Sequence, residues 1–433
     1  MLRIPESSVY TLYARTLFDG ELYTVSIVVD GDYVKRLCIG TSCREGEAID
    51  LVRPGVVLLP GAIDMHVHLR GLELNYKEDE ESGTKAAAAG GVVLVVDMPN
   101  TVPRINSVEA LRAKLHSLAT RSYVDFGVYV GFTPHVDELR AMLSVGDVLG
   151  MKLYPEDLPR LTDSQIDAVA RAGKLLIVHC EHPNLIREGC PAGKRALCRP
   201  IDAELRCIEE YHTRFSTART HITHITSPQL LRLARRRGFT TDTCPHYVLL
   251  SSDDERRLGC LAKVNPPLRP RCFVEELLRL LAMGFVDAWV TDHAPHTLEE
   301  KSLPFEECPS GIAGLETSLR ILLTLLNKGV VTLRTVARLI NKSPRNILGL
   351  ESYACTYRGC VASLTVVDLK REGVVDPNRF FSKAKLSPFQ GLRYKGEPIA
   401  TIVHGNFVYV EGEIVSKPIG KGVGVYARKH SES

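Results

Sequence analysis

Two histidines two positions apart, His66 and His68, end the apolar run 56–68 in the order Asp64-Met-His-Val-His-Leu-Arg70. In an extended strand, residues i and i+2 project from the same face, so both imidazoles are offered to one point in space. A single satisfied histidine with a chance neighbour would give the same spacing, so the pair needs company to read as a metal site. Company is present: His179, His224 and Asp292 fall at the ends of three other strand-like runs. Imidazole and carboxylate donors suit Zn²⁺, with Mn²⁺ or Co²⁺ as alternatives on geometry. Together they are too many for one tetrahedral catalytic zinc, which keeps a position open. They suit two metals sharing a bridging hydroxide.

Lys152, in Met151-Lys-Leu-Tyr154, is electrostatically out of place among such neighbours. As an ammonium it reads as a surface group or a binder of substrate phosphate. Neutralised by CO₂ it becomes a carbamate, an anion able to span two metals. Burial and nearby cations lower a lysine pKa and open that route.

These residues share one address, the C-terminal ends of strand-like runs. The runs cover 56–68, 92–98, 125–132, 148–154, 175–179, 220–226, 240–247 and 287–293, and helical stretches alternate with them. This α/β alternation predicts a (β/α)₈ TIM-like barrel, whose catalytic groups gather at the C-terminal ends of its strands. A doubly wound open sheet would want a glycine-rich phosphate turn after its first strand, and Gly61-Ala-Ile-Asp-Met is not one. Both chain ends read as short strands with turn signals, so they are expected to pair into a small β-sandwich domain. The expected division is 1–55 and 351–433 for that domain, with the catalytic barrel over 56–350.

The chain has 433 residues, 45% of them hydrophobic and 24% charged, which excludes a disordered or fibrous protein. Lys plus Arg (54) nearly balances Asp plus Glu (51), so no basic excess points to nucleic acid. Apolar runs such as 92–96 are too short to span a membrane. Pro5 and Glu6 interrupt any signal-peptide pattern, and a cytoplasmic protein is expected. The twelve cysteines form no CxxC…CxxC zinc framework. They read as buried small hydrophobes or as intracellular disulfides, with Cys38–Cys43 and Cys355–Cys360 matched in spacing.

Eight motifs in one order carry a family resemblance. They are Gly61-Ala-Ile-Asp-Met-His-Val-His-Leu-Arg, Asp97-Met-Pro-Asn-Thr, Met151-Lys-Leu-Tyr, Val178-His-Cys-Glu, His221-Ile-Thr-His, Lys263-Val-Asn-Pro-Pro-Leu-Arg, Thr291-Asp-His-Ala-Pro-His and Pro309-Ser-Gly-Ile-Ala-Gly-Leu-Glu-Thr. The sequence resembles the amidohydrolase superfamily and, within it, the metal-dependent dihydroorotases, from about residue 55 to Ser387-Pro-Phe-Gln-Gly. The resemblance implies reversible cyclisation of N-carbamoyl-L-aspartate to (S)-dihydroorotate with loss of water, in de novo pyrimidine biosynthesis. It implies two Zn²⁺ per subunit and a CO₂-derived carbamate on Lys152. His66, His68, Lys152 and Asp292 would serve one metal, and Lys152, His179 and His224 the other. Asp292 would be the proton-transferring catalytic group. Substrate contacts would come from His68, Arg70, Asn100, Asn265, His296, Ser310 and Gly311. A homo-oligomer or an aspartate transcarbamoylase complex is the implied assembly.

The chain departs from the family pattern at Gly71-Leu72-Glu73 and at Pro245-His246-Tyr247, neither of which touches a metal ligand. Rival readings are a hydantoinase or allantoinase, whose substrates lack the ring carboxylate, and a non-catalytic scaffold, which would have lost ligands. Glu181, His182 and His221 are expected to support the ligands or shape the loop, His293 to sit in the core or behind the ligands, Trp289 in the core, and Lys77-Glu-Asp-Glu-Glu to begin a solvated helix.

Overall fold

The computed structural model describes residues 2–18 and 20–427. The amino-terminal strands are β1 (Val9–Phe18), β2 (Glu21–Asp30), β3 (Tyr33–Ile39), β4 (Glu47–Asp50) and β5 (Val56–Pro60). The barrel follows as β6 (Ala62–Val67), β7 (Val92–Asp97), β8 (Asp125–Gly131), β9 (Val148–Leu153), β10 (Leu175–Val178), β11 (Arg219–Ile222), β12 (Thr240–Thr243) and β13 (Ala288–Trp289). The chain returns through β14 (Leu364–Val374), β15 (Arg393–Val403), β16 (Asn406–Val410) and β17 (Glu413–Ile414).

β6 to β13 form eight parallel strands in sequential order. A parallel bridge between Val67 and His293, with His68 N–H donating to the His293 carbonyl at 2.7 Å, joins the last strand to the first and closes the barrel. Every residue of β6, β7, β8 and β9 is buried, as a parallel sheet covered on both faces requires. Helices such as Val108–Arg121, Ile201–Phe215 and Leu315–Asn327 alternate with the strands.

The run 56–68, read from sequence as one strand, is two. β5 pairs with β14 and β1 of the terminal sheet, whereas β6 belongs to the barrel. The crossing point is Gly61, where a Cβ would meet Val93 Cγ2 at 2.5 Å and the Ser363 carbonyl oxygen at 2.7 Å. Only glycine lets the two backbones approach that closely. The alternation of apolar residues cannot reveal such a handover, because both halves are buried.

Both chain ends join in one nine-stranded mixed sheet, with β5 linking the amino-terminal strands to β14–β17. Its own apolar cluster includes Tyr10, Leu12, Ile27, Leu58, Leu364, Ile402 and Phe407. Cys38–Cys43 and Cys355–Cys360 are disulfides of this part. Three further bridges, Cys180–Cys207, Cys190–Cys198 and Cys260–Cys308, were not paired by sequence reading, and Cys244 and Cys272 are free. The acidic run at 77–81 is not solvated: Glu78 and Glu80 are fully buried. Glu80 pairs with Lys114 at 2.7 Å, and Lys114 also holds Asp97 at 2.8 Å.

Candidate active site

The period-two geometry of β6 aims His66 and His68 at a common point. Their Nε2 atoms lie 3.2 and 3.1 Å from Oδ1 of Asp292, and the three side chains form a cluster that could hold a metal ion. The neighbours decide which ring nitrogen is free. The Thr223 hydroxyl donates to Asp242 at 2.9 Å, so its oxygen accepts from Nδ1–H of His66 at 2.7 Å and leaves Nε2 unprotonated. Asn100 Oδ1 accepts from Nδ1–H of His68 at 2.5 Å, with the same result. His179 is turned the other way: its Nε2–H donates to Glu181 at 2.6 Å, which frees Nδ1. Arg199 holds Glu181 in turn, with Nε 3.1 Å from Oε1. Such partners fix ligand orientation and raise ligand basicity.

His224 packs against His179 with ring centroids 4.4 Å apart, and Nδ1 of His224 has no hydrogen-bond partner. Burial, reinforced by neighbouring cations, holds His66 and His224 well below the usual histidine range, so both are neutral donors. Lys152 is fully buried, its Nζ is without a hydrogen-bond partner, and burial lowers its pKa to about 8. An orphaned buried amine beside inward-facing lone pairs is ill suited to be a structural ammonium, and the donor set around it fits a metal-binding site. Arg70, His224 and Asp292 have φ of 57°, 47° and 47°. That left-handed conformation is costly for non-glycine residues and concentrates at functional sites.

The ligand cluster forms one side of a cavity of about 260 Å³. Every site residue named from sequence lines it: His66, His68, Arg70, Asn100, Lys152, His179, His224, Asn265, Asp292, His296, Ser310 and Gly311. Arg70 is buried; its Nε donates to the Pro295 carbonyl at 3.4 Å and its Nη2 lies 3.3 Å from Nε2 of His296. Among the described residues no carboxylate pairs with it. Nε2 of His296 donates to the Ser310 carbonyl at 3.0 Å. Burial, then the charges of Arg70, Lys301 and Lys77, push His296 down to about 2, so it is neutral. Asn265 presents its Oδ1 to Arg195, which leaves its amide N–H groups for the cavity. Gly311 has φ of 145°, and a Cβ there would meet the Ala294 carbonyl oxygen at 2.3 Å. Only glycine fits this wall.

Tyr154 also lines the cavity, with a buried hydroxyl lacking a partner. It lies two residues past Lys152, and that spacing was the signal available for it. Glu181 and His221 support the ligands as expected, His221 through Asp242 at 2.8 Å. His182 shapes the loop, with Nε2 3.1 Å from Glu210. Trp289 is core, with Nε1–H donating to Ser318 at 2.7 Å. Asp292 is the one carboxylate among the cavity's lining residues, and the guanidinium of Arg70 faces the same space, which suits an anionic ligand.

Residues 57–408 match the family model described as the amidohydrolase family. A dihydroorotase from Methanothermobacter thermautotrophicus is 36% identical, covering 90% of this chain and 92% of the relative. One from Aeropyrum pernix is 36% identical over 97% of this chain and 99% of its own length. The chain belongs to the amidohydrolase family, on its dihydroorotase branch. Among solved structures, the L-hydantoinase (dihydropyrimidinase) from Arthrobacter aurescens superposes with a TM-score of 0.89 at 25% identity, covering 95% of this chain and 98% of that one. The dihydropyrimidinase from Brevibacillus agri gives 0.84 at 20% identity, over 95% and 97% of the two chains, a likeness of fold. The family member described here is therefore a cyclic amidohydrolase, and no helix among its described residues is long and apolar enough to cross a membrane.

Proposed function

We propose that the chain is a cytoplasmic two-zinc enzyme that reversibly closes N-carbamoyl-L-aspartate to (S)-dihydroorotate with loss of water. The observation that carries this reading is Arg70, a buried guanidinium facing the cavity with no carboxylate partner among the described residues. A buried charge without a partner is costly, and a substrate carboxylate supplies one in the planar geometry a guanidinium prefers. The fold likeness to hydantoinases favours a second reading, but a hydantoin brings no carboxylate and would leave Arg70 unmatched.

His66, His68, Asp292 and a carbamate on Lys152 would hold one cation, and that carbamate with His179 and His224 the other. Bound there, the cations supply an activated water and polarise the scissile carbonyl. Burial raises the Asp292 carboxyl, but the His68 hydrogen bond and neighbouring cations outweigh it and hold Asp292 below the ordinary carboxylate range. It is therefore ionised and able to accept a proton. In hydrolysis Asp292 takes that proton and delivers it to the departing ring nitrogen; in closure the transfers reverse. Arg70 holds the carboxylate, while the free amide N–H groups of Asn100 and Asn265 orient the ring oxygens. Ser310 and Gly311 offer main-chain groups, and neutral His296 packs beside Arg70 without repelling it.

Turnover of dihydroorotate should be compared with that of dihydrouracil, the same ring lacking the carboxylate, alongside metal analysis. Preference for dihydroorotate with two metals per chain is expected. Faster turnover of dihydrouracil or a hydantoin would overturn the assignment.

A further inference from the structure

We propose that the disulfides Cys260–Cys308 and Cys190–Cys198 position the substrate-binding wall, so that their oxidation sets KM while the metal ligands stay in place. The proposal rests on the dihydroorotase reading for the identity of the substrate.

Asn265, Ser310 and Gly311 of the wall lie outside the barrel strands, and a single parallel bridge, His293 to Ile312, ties the second of these segments to the barrel's last strand. Cys260 sits in the short 3₁₀ turn Gly259–Ala262 just before Asn265, and Cys308 lies just before Ser310 and Gly311. Their bridge joins residues 48 apart in sequence across a Cα separation of 6.1 Å. Around it, two lysines act as cross-links rather than as surface charges. Lys263 donates to the carbonyls of Phe305 at 2.6 Å and Cys308 at 2.7 Å. Lys301 donates to those of Cys260 and Pro309, both at 2.8 Å. Gly311 N–H closes the circuit on the Lys263 carbonyl at 2.9 Å.

The second bridge acts through Arg195. This side chain is buried and donates to the Val264 carbonyl at 2.6 Å and to Oδ1 of Asn265. It thereby decides that Asn265 shows N–H groups, not oxygen, to the substrate. Arg195 starts the single helical turn Arg195–Cys198, and the residues at 186–191 before it form no regular structure. Cys190–Cys198 closes that loop, with Cα atoms 6.1 Å apart. Arg195 is thus a positioning residue for Asn265, and the disulfide limits where Arg195 can reach.

Reduction by a small dithiol transfers two electrons and two protons to each bridge, giving two cysteine thiols and the reagent's own disulfide. Cys190 and Cys198 are partly exposed, whereas Cys260 and Cys308 are buried, so the outer bridge should open first.

The test uses the full-length metal-loaded enzyme as wild type and as the pairs C190S/C198S and C260S/C308S, with C38S/C43S as a control in the terminal sheet. Small misplacements of binding groups cost up to ~100-fold, and a rise in KM for dihydroorotate of about tenfold is expected for each wall pair. kcat and metal content should change little, and the control should match wild type. Arg195→Ala should raise KM likewise, and Arg195→Lys should restore part of it. If a serine pair fails to fold, native wild type treated with dithiol, mapped by alkylation and then reoxidised should show a reversible rise in KM. Hydrogen exchange at 259–265 and 304–311 reads the wall without any substrate and should quicken on reduction. Unchanged exchange, unchanged KM, or loss of metals in step with KM would overturn the proposal. An oxidised wild type that does not turn over dihydroorotate would overturn the assigned reaction instead, and exchange alone would then decide the fate of the wall.

Discussion

On one side of the cavity, His66 and Lys152 lie within barrel strands and His179 and Asp292 just past strand ends, in a closed sheet. On the other side, Asn265, His296 and Ser310 sit in segments outside the strands, tied by disulfides and lysine–carbonyl bonds. The difference follows from what each side must do. Metal ligands must be held to a few tenths of an ångström, and a hydrogen-bonded barrel supplies that rigidity. A substrate wall must admit and release a ring, and cross-linked loops supply a defined shape on a less rigid frame.

The comparison breaks most visibly if the metal wall tolerates change. General acid–base groups contribute ~10²- to 10⁴-fold, so Asp292→Asn should lose at least that factor in both ring opening and ring closure. The two losses in kcat/KM are equal for any variant, since the equilibrium is set by substrate and product alone, so it is the size of the loss that reports on Asp292. Steady-state assays with metal analysis check this, and an Asp292→Asn variant that keeps its metals and loses less than ~10-fold would refute the mechanism.

On the substrate wall, Arg70→Ala removes a charged hydrogen-bond partner worth about 1.5–3 kcal/mol, a loss of roughly 10- to 150-fold in kcat/KM. Metal content should be unchanged. Loss of zinc by mass spectrometry would mean that the two walls are not separable.

The same division governs what could be read from sequence. His66 and His68 were legible because a strand has a period of two, and Lys152 because an ammonium among metal ligands is a contradiction that asks for chemistry. The fold class was legible because strand-like and helical runs alternate across the middle of the chain. The handover at Gly61 was hidden, since 56–68 is apolar on both sides of it. Glu78 and Glu80 were misplaced because acidic residues usually face water, and their buried partners Ser382 and Lys114 are far away in sequence. Thr223, Asp242, Arg195 and three of the disulfides were invisible for the same reason. What they do depends on contacts between distant segments, which no local spacing encodes.

Lys152 gives the metal wall a pH signature. Only the neutral amine reacts with CO₂, and burial moves its pKa from 10.5 to about 8. At pH 7 roughly one molecule in ten is then neutral, against about one in three thousand for an ordinary lysine. In the metal-free protein at fixed CO₂ pressure, the initial rate of ¹³C-carbamate formation should rise about tenfold per pH unit below 8 and level off above it. A rise continuing to pH 10 would place Lys152 in an ordinary environment, and Lys152→Ala should abolish the signal.

The smallest effect on catalysis should come from a disulfide of the terminal sheet. Cys355–Cys360 belongs to the apolar cluster of the terminal sheet, beside Leu364 and Val366. Its neighbour Ala354 accepts from Asn341, whose amide also donates to the Gly61 carbonyl at 2.9 Å. Gly61 precedes β6, so this contact marks the N-terminal end of the barrel, while the cavity opens at the opposite end of the strands. A loop closed over a sequence separation of 5 restricts the unfolded chain only modestly, by about 2 kcal/mol on the chain-entropy account. Replacing both cysteines with alanine should therefore lower the free energy of unfolding by about that amount, provided unfolding is reversible, and leave kcat and KM as they are. Denaturant titration and steady-state kinetics on the same preparation check both halves. A change in KM would show that strain at the far end of the barrel reaches the substrate wall, and the separation between the two regions would then be wrong.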